Sequence, residues 1–214
     1  MREYIGMNHH GRPKIIESRR AKNVEISGVT FKNSPYYHID IRDCEDLYIH
    51  DLEIFVDYWG DLEFKHLLGG TQEMDLIANS LDLFELPSLH LPTFPLNTDG
   101  LDLAGKNILV ERVEITCFDD AVAIKPQGNT GKYATCAEDI TVRDSKTVYG
   151  VGMTIGSVPP STTWNCVRNV TFTDIQMDRP IKAIYVKTNP AGSSFADSGI
   201  DAPGGGGTIE DILY

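Results

Sequence analysis

A chain of 214 residues, 41% hydrophobic and 23% charged, has the composition of one ordinary globular domain rather than of a disordered or fibrous protein. Thirty-one Asp and Glu against nineteen Lys and Arg leave a formal net charge of -12, which repels phosphate backbones, so nucleic acid is not an expected partner. No apolar run approaches the roughly 18 residues that a bilayer span needs, and the charged opening Met1-Arg2-Glu3 is not a signal peptide, so no membrane association is expected.

From Asn23 onward one pattern recurs: Asn or Asp, alternating apolar positions, a polar turn, then further apolar positions. Asn23-Val24-Glu25-Ile26 leads to Val29-Thr30-Phe31, and Asp46-Leu47-Tyr48-Ile49 to Leu52-Glu53-Ile54. Asn107-Ile108-Leu109-Val110 leads to Val113-Glu114-Ile115, followed by Asp139-Ile140-Thr141-Val142 and by Asn169-Val170-Thr171-Phe172 with Ile175. A clipped sixth copy starts at Asp211-Ile212. Period-two alternation with β-branched residues means short strands with one buried face. Most copies start 23, 32 and 30 residues apart, too far for hairpin partners and right for stacked coils.

The expected fold class is therefore all-β: a right-handed single-stranded parallel β-helix, one domain over 1–214. Equivalent residues of successive coils would lie about 4.8 Å apart. The longer interval between Asp46 and Asn107 predicts a loop insertion at about 57–96, where Trp59, Gly69-Gly70, Pro92 and Pro95 fall. An antiparallel sandwich also uses alternating strands, but its turns come every 8–12 residues or so. The pattern starts close to the first residue and is still running at Tyr214, so both ends are expected to be cut from a longer solenoid.

Cys44, Cys117, Cys136 and Cys166 lack the C-x-x-C spacing of a structural zinc site, so zinc is disfavoured. Their even number permits disulfides, with the pairing open, and Asn169-Val170-Thr171 is a glycosylation sequon. Both suit an extracellular glycoprotein whose signal sequence lies upstream; without one the protein stays inside.

Acidic residues stand beside turn signals at Asn97-Thr98-Asp99-Gly100 and Phe118-Asp119-Asp120-Ala121, 20 residues apart and so close to one coil. As lateral neighbours, three carboxylates repel one another, which raises the pKa of at least one and separates an acid from a base. An inverting glycosidase needs such a proton donor and a base for water, with carboxyl groups about 6.5–9.5 Å apart. The bland alternative is that the first motif is a turn and Asp-Asp a solvated strand end or a calcium ligand.

These residues resemble glycoside hydrolase family 28, the polygalacturonase and rhamnogalacturonase family, from the Arg12-Pro13 segment and Asn33-Ser34-Pro35 through to Ile209-Glu210-Asp211-Ile212. Asn97-Thr98-Asp99-Gly100 matches the family's first motif, and Asp119-Asp120 with Ala123-Ile124-Lys125 the second. The resemblance implies a β-helix with its site on one coil face, a pectic polysaccharide substrate and inverting hydrolysis. Asp119 would donate the proton while Asp99 and Asp120 activate water; no metal or organic cofactor is expected. It also implies Asn97, Gly152, Tyr185 and Lys187 as substrate-binding residues. Two departures stand out. The third motif, usually Gly-His-Gly, reads Gly150-Val151-Gly152, and the fourth, usually Arg-Ile-Lys, reads Tyr185-Val186-Lys187. Val151 cannot hydrogen-bond a carboxylate, and Tyr185 cannot make arginine's bidentate fork with a uronate. The departures point to a neutral sugar such as rhamnose on one side of the bond, with Lys187 reading galacturonate on the other, as in the exo-acting rhamnogalacturonan branch.

Three rivals stand beside this reading: a pectate-lyase-like enzyme with calcium and Lys187 as base, a non-catalytic carbohydrate-binding solenoid, and an inert truncated relative. A monomer is expected. Tyr36, Tyr37, Trp59 and Trp164 read as core or loop-junction aromatics rather than sugar platforms. None of the six histidines falls inside the carboxylate motifs, so no His-based triad is expected, and Gly204 to Gly207 reads as a loop rather than a phosphate cradle.

Overall fold

The computed structural model describes residues 12–57, 96–126, 136–158, 165–188 and 207–214. Most of the insertion expected at 57–96 lies outside the described residues, as do Trp59, Trp164, His9, His10, His66, His90 and Gly204 to Gly206. The strands are β1 (Ile16–Arg19), β2 (Lys22–Ser27), β3 (Thr30–Lys32), β4 (Ile39–Phe55), β5 (Leu101–Thr116) and β6 (Asp120–Ile124). They continue with β7 (Ala137–Val148), β8 (Val151–Val158), β9 (Asn165–Asp178), β10 (Lys182–Thr188) and β11 (Gly207–Leu213).

Each pairing is parallel, as in stacked coils, and the fold is a right-handed parallel β-helix, the handedness that parallel crossovers favour. Three ladders form its walls. The first, which carries the site, runs through β1, the start of β4, the start of β5, β6, β8 and β10. The second runs through β2, β4, β5, β7, β9 and β11, and the third through β3 and the ends of β4, β5, β7 and β9.

The polar residue that opens each repeat has a definite job. Asn23, Asp46, Asn107, Asp139, Asn169 and Asp211 stack in register at one corner, all at positive φ between 50° and 61°. Asn and Asp tolerate this left-handed conformation better than other side-chain-bearing residues. Their side chains join across coils: Asn107 Nδ2 donates to Asp46 Oδ1 at 2.5 Å and Asn169 Nδ2 to Asp139 Oδ1 at 2.7 Å. The sequon amide is thus engaged in the corner ladder. Because the chain turns without leaving the hydrogen-bonded ladder, β4 and β5 run 17 and 16 residues, longer than the short strands expected.

Inside the walls, alternate residues stack into apolar rows, among them Ile49, Val110 and Val142, each with no exposed surface. Complete burial of one such side chain is worth about 1.5–3 kcal/mol. Cys136 and Cys166 sit one coil apart, 30 positions apart in sequence, and form a disulfide with Cα atoms 4.6 Å apart, while Cys44 and Cys117 are buried and free. Closing a loop of this length restricts the unfolded chain. Replacing both Cys136 and Cys166 by Ser is expected to lower the unfolding free energy by about 3 kcal/mol, read as a fall in the urea midpoint.

Candidate active site

The first ladder brings the acidic motifs together. Gly100 N donates to Asp120 O at 3.0 Å, and Leu101 lies opposite Val122, so Asp99 falls level with Asp120, a 21-residue step. The facing carboxylate oxygens of Asp99, Asp119 and Asp120 all lie within 4.8 Å of one another. These facing oxygens stand closer than the roughly 6.5–9.5 Å between carboxyl groups expected for an inverting pair. The physical reason is that β5 and β6 are directly hydrogen-bonded neighbours, so their side chains stand one strand spacing apart, about 4.8 Å.

Each carboxylate has a different environment. Asp120 is 1% exposed, and both its oxygens are engaged: Oδ1 accepts from Thr154 Oγ1 at 2.9 Å, and Oδ2 is paired with the Lys187 ammonium. Asp119 is half-buried; its Oδ1 accepts from Asp120 N at 2.9 Å and its Oδ2 from Asn97 N at 3.1 Å and Asn97 Nδ2 at 3.5 Å. Burial, followed by the negative charge of Asp120, raises its pKa. Asp99 is 3% exposed, and among the described residues no hydrogen bond reaches its Oδ1. Burial first, then Asp102 and Asp119, push its carboxyl well above the usual range, opposed by Lys125, whose Nζ stands 3.7 Å from Oδ2.

Around the three carboxylates stand Lys125 of the second motif and residues that no motif announced. Asp102, on the same ladder, is 1% exposed and is also raised by burial, with Lys125 Nζ at 2.8 Å from its Oδ1. Burial works against the Lys125 charge, yet Asp102 and Asp99 hold that ammonium above its ordinary range. His38 Nδ1 and N both donate to Asp99 O, at 3.0 and 2.9 Å, while its Nε2 accepts from Ser34 N. One ring nitrogen therefore donates and the other accepts, which is the neutral tautomer, in keeping with a pKa lowered by burial. Tyr36 and Tyr37 stack with centroids 4.0 Å apart, with the Arg12 guanidinium 4.8 Å from the first ring and Lys125 Nζ 4.8 Å from the second. The pair edges the site instead of covering a distant junction. Spacing could not reveal these contacts, because they join residues dozens of positions apart.

The expected substrate-binding residues scatter in role. Lys187 touches Asp120, Asn97 touches Asp119, and Tyr185 lies opposite Thr154 with Lys182 Nζ 3.6 Å above its ring. Gly152 is buried, and a Cβ there would meet Ala183 O at 2.4 Å and Met177 Sδ at 2.8 Å, so packing against the next coil explains this glycine. Gly150, at φ 55°, would place a Cβ 2.4 Å from Asp119 O, so its absent side chain lets the next coil seat directly against the acidic pair. Val151 stands opposite Asp120 and supports Asp119 through its backbone, N to O at 2.8 Å.

The site is thus a ledge of three carboxylates and two lysines on one face of a parallel solenoid. The family model of Glycosyl hydrolases family 28 matches residues 5–201, and the chain belongs to that family. It is 29% identical over 186 residues to a probable endo-xylogalacturonan hydrolase A from Aspergillus fumigatus, covering 86% of this chain and 36% of the relative. To a polygalacturonase of Juniperus ashei it is 24% identical, with 88% and 29% covered. The crystal structure of the endo-xylogalacturonan hydrolase from Aspergillus tubingensis shares the fold, with a TM-score of 0.59 at 20% identity over 91% of this chain and 42% of that one. The chain thus spans about two-fifths or less of the length of these relatives.

Proposed function

We propose that the chain hydrolyses glycosidic bonds of a pectic polysaccharide by single displacement, with Asp119 as general acid and Asp99 and Asp120 as the base pair for water. The observation that carries this reading is the division of environments among three clustered carboxyls. Asp119 alone of the three is not fully buried, so it is the one that can reach a leaving oxygen and hand over a proton. Retention needs a carboxylate free to attack the anomeric carbon. Asp120 is held at both oxygens and Asp99 is almost wholly buried, which supports attack by water and hence inversion. Lys187 and Lys125 put positive charge beside the cluster, where a metal would otherwise balance the carboxylates, so the chemistry proceeds without calcium. The Cys136–Cys166 disulfide supports an extracellular protein.

The relatives are named for xylogalacturonan and polygalacturonan, which favours a galacturonan backbone as substrate. A second reading, exo-acting cleavage of rhamnogalacturonan, is favoured by Lys187: engaged with Asp120, it is less available to clamp a uronate, and Tyr185 stands where a second cation was expected. Incubating the chain separately with polygalacturonan, xylogalacturonan and rhamnogalacturonan oligomers decides between them. Saturated reducing ends from either galacturonan support the first reading, and terminal rhamnose or galacturonate released only from the third supports the second. Ultraviolet-absorbing, calcium-dependent products would mean a lyase, and binding with no new ends a carbohydrate-binding solenoid.

A further inference from the structure

Arg12 lies 85 residues before Asn97 in sequence, outside both carboxylate motifs, and is only 5% exposed. Its Nη1 donates to Pro35 O at 3.0 Å and Leu96 O at 2.8 Å, and its Nη2 to Asn97 Oδ1 at 2.7 Å. Asn97 in turn presents its N and Nδ2 to Asp119 Oδ2. Resting on the functional reading above, we infer that Arg12 is a positioning residue that acts on the acid Asp119 through the Asn97 amide.

The chemistry of the three groups dictates the direction of this relay. A guanidinium only donates, so the Asn97 oxygen must face Arg12 and its NH2 must face Asp119. Were the amide reversed, its oxygen would meet a carboxylate and repel it, or would accept a hydrogen bond from the protonated acid and hold the proton there. Arg12 thus keeps Asp119 facing donors, which favour its ionised form and oppose the burial that favours the neutral one. The acid is left able to release its proton at the moment of bond cleavage. Asn97 itself sits at φ 58°, so its turn offers the amide to both neighbours at once.

The other groups facing Asp119 are Asp99, Asp120, Lys187 and, through its backbone oxygen, Cys117 Sγ; replacing Arg12 leaves all of them in place. The test is a 13C titration of the Asp119 carboxyl in the 214-residue chain, with Asp119→Asn assigning the signal, alongside the pH profile of kcat and KM. Arg12→Met is expected to raise the Asp119 midpoint, and the alkaline limb with it, by about one pH unit. Its kcat should fall about tenfold with KM near the parent value, because Arg12 acts through another residue rather than on the sugar. Arg12→Lys, which keeps a donor and a charge, should recover at least half of the midpoint shift. In an Asn97→Leu background the Arg12→Met change should add less than it does alone, the signature of one shared path.

A midpoint unchanged in folded Arg12→Met, or a full shift added on top of Asn97→Leu, would overturn the inference. Should Arg12→Met not fold, Asn97→Leu alone decides: it leaves the Arg12 bonds to Pro35 and Leu96, and an unmoved midpoint there removes the relay. If the parent chain releases no sugar, the functional reading fails while the carboxyl titration still tests the relay.

Discussion

Asp119→Asn should abolish sugar release, lowering kcat by about a thousandfold, while the fold stays intact. Asparagine has the same shape, and its oxygen can still accept the 2.9 Å bond from Asp120 N that now reaches Asp119 Oδ1. What it cannot do is hand a proton to the leaving oxygen. Reducing-end release measured beside the thermal melt separates the two consequences: the rate is expected to collapse with a near-parental melting temperature. Release within tenfold of the parent would remove Asp119 from the role of acid.

Asp99→Asn is expected to abolish activity and yet stabilise the protein at neutral pH. Asp99 is faced by Asp102, Asp119, Asp120 and Lys125, and burial together with the first two pushes its folded pKa well above the ordinary 3.8. A carboxyl raised in this way binds its proton more tightly folded than unfolded. Its stabilising contribution is complete below about the unfolded value and is lost as pH rises through the folded one. Above that window the native state carries a buried, under-bonded charge, which the amide removes. The melting temperature of Asp99→Asn should exceed the parent's by about 3 °C or more at pH 7, and the difference should close near pH 3.5, below the ordinary carboxylate value of 3.8. A variant less stable than the parent at pH 7 would show that Lys125 already offsets the charge. The site would then be built at no cost to stability, against the usual trade between the two.

The walls of the solenoid were legible because their causes are local. Asn23, Asp46, Asn107, Asp139, Asn169 and Asp211 each declare a left-handed corner, and the alternation after them declares which side faces inward. The ledge that carries the chemistry was not. In β6 every residue is buried, so Asp120-Ala121-Val122-Ala123-Ile124 shows no burial alternation to read, and β8 runs the same way from Gly152 to Gly156 under the site.

Three acids one coil apart were visible in sequence, but their partners were not. Lys187 stands 67 residues from Asp120, and the resemblance assigned it to substrate, while the stacking of β6, β8 and β10 brings it back across two coils to the carboxylate. His38 enters through register and burial alone, and although the resemblance included Arg12 and Lys125, no spacing rule announces their contacts with Asn97 and with Asp99 and Asp102. Tyr36 and Tyr37, read as junction aromatics, lie at the site because the turn before β4 folds over the start of β5.

Real-time proton NMR of polygalacturonan cleavage by the chain tests the central claim most directly. If water held by Asp99 and Asp120 attacks opposite the bond that Asp119 protonates, the first new reducing ends appear as the inverted anomer and equilibrate only later. Retained anomer at the earliest times, or an olefinic proton in place of a new reducing end, would contradict it.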